Sequence, residues 1–429
     1  MEIAIGIIFV GLLVFLAYFF SWLFSFVRVP DVLMLITIGI LIGPMLDLVH
    51  PTFLGDAGNI MIMLILVMIL FEGATKLKIQ SLKKAAFGTL SLALISFLLT
   101  MTGVGLLLWK FANLSMISSF LIGSIVGGNA AAVVIPLIEK IKIKEESKTT
   151  LFLESGLTDV LSIVFTFAFV ASLEIGELYI DSVVFNIVKN LFMAVVIGST
   201  SALIWSLFLN KIHDIKNSSF ATLAFVFIVY GITESLGFSG LISIIICGIV
   251  LGNIPLMISS LKERHKFFYA TFHPQPLSGK ETSFFSEIVF LIKIFFFVFI
   301  GISLNFENFS VLALGLLLTL FIFIIRVPSI FLSLPRTTPK FDTSIISATV
   351  PRGLAVAILA LIPLQKGLEG GQLIQDIAYS VVFFSIFLTS VMIFLIYNTR
   401  VRKIYEFLFS GFSSNPEEGS LEYPNKKAL

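Results

Sequence analysis

About thirteen stretches of 18 or more mainly apolar residues recur along the 429-residue chain, and this constrains its fold more than any other feature. A helix needs roughly 20 apolar residues to cross about 30 Å of hydrocarbon. With that window, spans fall near 2–25, 30–47, 55–74, 84–109, 113–137, 149–172, 182–210, 217–237, 239–257, 285–304, 308–333, 343–364 and 373–399. The alternation expected of barrel strands is lacking, so the stretches read as helices. The first carries no A-x-A cleavage pattern and is kept as a span. Composition agrees: 58% of residues are hydrophobic and 13% charged, against roughly half and a quarter in a soluble domain. A soluble enzyme, a disordered chain and a nucleic-acid binder are excluded. A net charge of +2 points to no polyanionic partner. The single cysteine, Cys247, leaves no disulfide or thiolate cluster, and His50, His213, His265 and His273 lack ligand spacing; no cofactor is expected.

Lys and Arg are distributed unevenly between the two sets of loops. Of the 28, 22 fall on one side, including Lys76, Lys140, Lys144, Arg264, Arg336 and Arg402. Only Lys110 and Lys366 fall on the other. By the positive-inside rule the basic side is cytoplasmic, which places the N-terminus outside and the C-terminus inside a cell membrane. Residues 1–404 form the membrane domain, and 405–429 read as a short, polar cytoplasmic tail. No Walker-type G-x-x-x-x-G-K-[ST] occurs, so transport is expected to run on ion gradients.

A charged side chain at mid-membrane costs roughly 2.5–3.5 kcal/mol on insertion scales, so each one requires a reason. The sixth span, TTLFLESGLTDVLSIVFTFAFV, carries Asp159 about ten residues in, close to the midplane. Ser155 and Ser162 share its stripe, and Glu154 and Thr158 form the adjacent one. Such an oxygen-rich stripe suits a hard, partly dehydrated cation. The fifth span is interrupted by Gly127-Gly128-Asn129-Ala130 and the twelfth by Pro351-Arg352-Gly353. Broken helices are tolerated at this depth only where they line a cavity. The two breaks lie seven spans apart and run in opposite directions, so spans 1–6 and 8–13 read as inverted repeats, the arrangement that points to a transporter site. Arg326 in span 11 reads either as a core charge or as a snorkelling residue. Lys189 and Lys293 read as interfacial anchors, and Glu234 and Glu287 as solvated span ends.

Several segments resemble, in order, those of monovalent cation:proton antiporters of the NhaP / sodium–proton exchanger branch. They are VPDVLMLITIGILIGP, LFEGATKLKIQSLKK, FLESGLTDVLSIV, GFSGLISIIICGIVLGN, FFFVFIGISLNF, IIRVPSI and PRGLAVA. The resemblance implies a thirteen-helix, all-α fold of two inverted repeats with two broken crossing helices. Residues 84–172 and 308–399 would form a transport domain and 1–83 and 182–304 a dimerisation scaffold, with a homodimer as the expected assembly. Carried over by position, Asp159 binds the cation or the proton, with Ser155, Thr158 and oxygens at Gly128 and Asn129 completing the site. Glu72 lies at the cytoplasmic mouth of the ion path, Glu154 pairs with Arg352 across the breaks, and Arg326 matches the basic residue of span 11. Two positions depart from the family pattern. Thr158 replaces an Asn, and Gly128-Asn129-Ala130 replaces a TDP break.

A single carboxylate couples two fluxes by competition, since it crosses hydrocarbon only when a proton or a cation neutralises it. Thr158 has no titratable group where electrogenic relatives carry a second aspartate, so electroneutral one-for-one exchange is expected. Among Na+, Li+ and K+ the family branch favours Na+, with pH and sodium homeostasis as the role. The alternatives are a K+/H+ exchanger or a cation channel built on the same acids. No repeated filter loop supports the channel, and no H-E-x-x-H or nucleophile–base pair supports an intramembrane enzyme.

Overall fold

The computed structural model describes residues 31–48, 55–76, 87–112, 114–130, 133–134, 141–175, 180–212, 218–264, 275–304, 306 and 308–413, with Gly11, Phe15 and Phe19. The first expected span and the second half of the fifth therefore lie mostly outside the described residues. Among those described are fourteen α-helices and no strand beyond an isolated bridge between Pro339 and Ser413.

In chain order the helices are α1 (Asp31–Ile40), α2 (Gly55–Lys76), α3 (Phe87–Phe111), α4 (Met116–Ile125), α5 (Glu145–Ile175), α6 (Ile180–Ile212) and α7 (Ser218–Ser235). There follow α8 (Gly240–Arg264), α9 (Gly279–Ile302), α10 (Phe309–Ser333), α11 (Lys340–Ala348), α12 (Leu354–Gln365), α13 (Gly371–Asn398) and α14 (Val401–Leu408). A π-helical stretch, Leu41–Met45, extends α1 around Pro44. Six helices, α3, α5, α6, α9, α10 and α13, contain stretches long and apolar enough to cross a membrane. The expected span 12 is two helices, α11 and α12, separated at Thr349–Gly353. The expected span 5 ends its first helix at Ile125. Both breaks fall at the Gly, Asn and Pro positions that disfavour helix.

Ordered structure continues past the expected boundary at 404: residues 401–408 form a helix, and Phe409 and Phe412 beyond it are buried.

The helices pack in two groups. One gathers α1, α2 and α6–α9, with α8 against α6 and α2, and α9 against α1. The other gathers α3–α5 and α10–α14, with α3 against α4 and α10, and α13 against α10 and α12. Contacts between the groups run from α5 to α6, α13 to α1, and α12 to α2 and α9. Between apolar helices in an apolar solvent, close backbone approach replaces the hydrophobic drive. The α1–α9 crossing shows this: a Cβ on Gly39 would collide with the Val298 carbonyl and Gly301 Cα, and one on Gly301 with the Ile36 carbonyl and Gly39 Cα.

Alanine at Gly39 or Gly301 should therefore destabilise the purified protein by about 1–3 kcal/mol, the usual cost of overpacking. Gly73→Ala is the control, because nothing lies within 4 Å of a Cβ there. Thermal denaturation in detergent should show a lowered midpoint for the first two substitutions and none for the control.

Candidate functional site

At the break after α4, side chains and backbone from other elements meet much of the freed backbone. Ser162 of α5 donates its hydroxyl to the Ser124 and Ile125 carbonyls at 2.6 and 3.0 Å. Arg352 Nη1 donates to the Gly127 and Gly128 carbonyls at 3.1 and 2.8 Å. Asn129 N–H donates to Thr158 Oγ1 at 3.0 Å, and Ala130 N–H to the Pro351 carbonyl at 2.8 Å. That last bond joins the two interrupted segments backbone to backbone. They meet so closely that a Cβ on Gly353 would strike the Ala130 methyl.

The second break is held in the same way from α13 and α10. Val350 N–H donates to Thr389 Oγ1 at 3.4 Å and Arg352 N–H to Ser385 Oγ at 2.9 Å. Arg326 Nε and Nη2 donate to the Ile346 carbonyl, near the C-terminus of α11, at 3.3 and 3.2 Å. A cation is favoured at that position because helix C-termini carry partial negative charge.

Arg326 also grips both oxygens of Glu154, with Nη2 donating to Oε2 at 2.7 Å, and Ser96 of α3 adds a third donor to the carboxylate at 3.2 Å. Both side chains are buried, so Arg326 does not snorkel. This corrects the expected pairing of Glu154 with Arg352. Glu154 lies five residues before Asp159, about 7.5 Å along α5 at 1.5 Å per residue, and so sits level with Arg326 and the α11 end. Arg352, on the break itself, is occupied by the Gly127 and Gly128 carbonyls.

Asp159 faces the α4 break, since a Cβ on Gly128 would lie 3.0 Å from its Oδ1 and 3.2 Å from Ser162 Cβ. Its side chain is half-buried, whereas Ser155, Thr158 and Ser162 are buried. Among the described residues no hydrogen bond or ion pair engages its carboxylate. Ser155 donates to the Phe152 carbonyl at 2.8 Å and keeps its lone pairs. Thr158 is engaged at both ends, donating to the Ser155 carbonyl at 3.1 Å and accepting from Asn129. The buried Oδ1 of Asn129 and Nε of Arg352 have no partner among the described residues. Buried polar atoms are normally satisfied. Of the two, Asn129 Oδ1 is an acceptor with capacity to spare, whereas Arg352 Nε is a donor.

Glu72 stands apart from this cluster. It is buried on α2, accepts from Ser286 Oγ of α9 at 2.8 Å and pairs with Lys76. Lys189 lies 5.8 Å over the Phe238 ring, as an interfacial anchor would.

Two parts of the site escaped the sequence reading. The hydroxyls of Ser96, Ser385 and Thr389 are single groups in apolar spans and carry little signal. Asp342, in the first turn of α11, is buried and accepts from Lys144 N–H at 3.0 Å and Ser147 Oγ at 2.7 Å. An acid at the start of an apolar span was the available clue.

This is a membrane transporter's architecture: two helices broken at one depth and crossed around a carboxylate. The chain matches the family described as "Sodium/hydrogen exchanger, transmembrane" over residues 11–399, and it belongs to that family. It is 27% identical over 331 residues to a K(+)/H(+) antiporter NhaP2 of Shewanella sp. (strain ANA-3), covering 75% of this chain but 54% of that one. It is 26% identical over 378 residues to Na(+)/H(+) antiporter 1 of Methanocaldococcus jannaschii, covering 84% of each. The structure of the sodium proton antiporter MjNhaP1 from that organism superposes with a TM-score of 0.73 at 22% identity, covering 91% of this chain and all of that one. The all-α fold read from the spans, and the antiporter fold that the resemblance implied, are the fold observed.

Removing one partner of a buried ion pair costs about 3–5 kcal/mol, because the other charge is stranded. Glu154→Gln and Arg326→Gln should each lower thermal stability by that order. The double variant should cost clearly less than the sum of the two, as a double-mutant cycle in detergent would show.

Proposed function

We propose that this protein exchanges a monovalent alkali cation, Na+ in the first instance, for H+ at Asp159. The observation that carries the reading is the unpaired, half-buried Asp159 carboxylate against the crossing of two interrupted segments. Cation ligands come from Asp159, the free lone pairs of Ser155 and the unpartnered Asn129 oxygen. Gly128 keeps the space open for them, and Thr158 fixes Asn129 beside it. Glu72 sits at the cytoplasmic mouth of the path. The Glu154–Arg326 pair and Arg352 are positioning groups that hold the breaks.

Coupling follows from charge. Empty, the site holds a bare anion whose passage through hydrocarbon is heavily penalised; loaded with one proton or one cation it is neutral. The cycle is then electroneutral, one for one, and moves by alternating access. Two packing groups joined by few contacts support an elevator motion. In it α3–α5 and α10–α13 carry the ion past a scaffold of α1, α2 and α6–α9, through which two copies pair. The N-terminus lies outside and the basic C-terminus in the cytoplasm, as the Lys and Arg asymmetry requires. The role served is sodium and pH homeostasis.

Potassium is the second reading, because the Shewanella relative is described as a K(+)/H(+) antiporter. Sodium is preferred because the match to the Na(+)/H(+) antiporter spans 84% of both chains, against 54% of the Shewanella relative.

In proteoliposomes, Asp159→Asn should reduce cation-dependent proton flux to background while the protein remains folded; retained flux would mean the site is elsewhere. Because one proton and one cation compete, apparent cation affinity should fall about tenfold per pH unit on the acidic side. With the membrane potential clamped, the wild-type rate should not change with voltage, whereas Thr158→Asp should gain voltage dependence. Running Na+, Li+ and K+ in turn decides the ion.

A further inference from the structure

The helix α14 has two faces of different character. On one, Val401, Arg402, Tyr405 and Glu406 are half-buried and lead into the buried Phe409 and Phe412. Phe409 and Phe412 pack against Phe331 of α10 as tilted ring pairs with centroids 5.4 and 5.6 Å away, and the Arg336 guanidinium lies 5.0 Å from the Phe331 ring and 4.7 Å from that of Phe412. Arg402 lies 4.5 Å over Phe341 of α11 and donates to Glu406 at 2.5 Å. Beyond the helix, Lys340 N–H donates to the Ser413 carbonyl at 2.9 Å and Ser413 N–H to the Thr338 carbonyl at 3.1 Å. The segment is thereby seated on the connector between α10 and α11.

The opposite face carries Arg400, Lys403, Ile404, Phe407 and Leu408, all exposed. Ile404 is 67% and Phe407 81% exposed. Among the described residues these three large apolar side chains stay exposed, two cations flank them, and the helix's one acid, Glu406, is turned away onto Arg402. Two residues separate α14 from the end of α13 at Asn398, a helix long and apolar enough to cross a membrane, so α14 follows directly on a candidate span.

We propose that this outer face of α14 is an interfacial anchor that binds anionic lipid. Ile404, Phe407 and Leu408 enter the boundary between headgroups and acyl chains, and Arg400 and Lys403 bind headgroup phosphates. Continuity with α13 and the sign of the flanking charge favour the bilayer over a soluble partner. The anchor also reaches the ion site. It is bonded to the connector that enters α11, and Asp342 of α11 holds the start of α5, the helix that carries Asp159. The proposal rests on the membrane reading but not on the orientation or the exchange reaction.

A polarity-sensitive fluorophore on Phe407→Cys tests it, since the sole native cysteine, Cys247, is buried. The labelled full chain is placed in symmetric nanodiscs of phosphatidylcholine alone, or with about a third phosphatidylglycerol. Both faces then present the same lipid, so a wrong orientation does not alter the result. The expected outcome is blue-shifted emission and at least about twofold stronger quenching by shallow spin-labelled lipid in the anionic discs. That difference should shrink when Arg400→Gln and Lys403→Gln are added. Water-like emission in both compositions, equal quenching in both, or a shift that grows with protein concentration would overturn the proposal. The last would indicate a second copy on this face. Na+-dependent proton flux measured on the same labelled protein keeps failure of the anchor separate from failure of the antiport reading.

Discussion

A helix interrupted inside hydrocarbon leaves backbone N–H and carbonyl groups with no water to bind, and each unsatisfied group costs several kcal/mol. The whole candidate site is organised around meeting that requirement. Hydroxyls of Ser162, Thr158, Ser385 and Thr389 come from the neighbouring α5 and α13, while Arg352 and Arg326 supply charge to the carbonyls. The bond from Ala130 to Pro351 ties one break to the other. Among the described residues, the Asp159 carboxylate is left without a partner at this crossing, along with Asn129 Oδ1 and Arg352 Nε.

That division of labour separates the two acids of α5. Glu154 is buried with a bidentate arginine and a serine, so its charge is balanced permanently. Asp159 is half-buried and has no ion-pair partner among the described residues, which is what the proposed exchange asks of it. Five residues apart on one helix, the first acid supports structure and the second suits transport. The same logic places Arg352: it neutralises the ends of the α4 break without approaching Asp159 closely enough for an ion pair.

Much of this was legible in the sequence because charge in an apolar run is rare and expensive. Asp159, Glu154, Arg326 and Arg352 stood out on that ground alone, and Gly128-Asn129 and Pro351-Gly353 stood out as helix breakers. The pairing was not legible. Glu154 has two arginines in the same half of the protein, and choosing between them needs the depth at which α5, α10 and α11 meet. Ser96, Ser385 and Thr389 were hidden because Ser and Thr are common in membrane helices and usually bond back to their own turn. The helix α14 was hidden by its brevity: eight residues with three charges look like a solvated tail until Phe409 and Phe412 are seen buried beneath α10.

The central claim is that one carboxylate holds a proton and an alkali ion in turn, never both. Calorimetric titration of the purified protein with Na+, repeated in buffers of different ionisation enthalpy, counts protons released on binding. Near the midpoint of the pH range in which Asp159 exchanges its proton, release should rise towards one proton per ion on the acidic side and vanish on the alkaline side. It should be absent throughout in Asp159→Asn. Sodium binding with no proton release at any pH, or with release unchanged in that variant, would contradict the account.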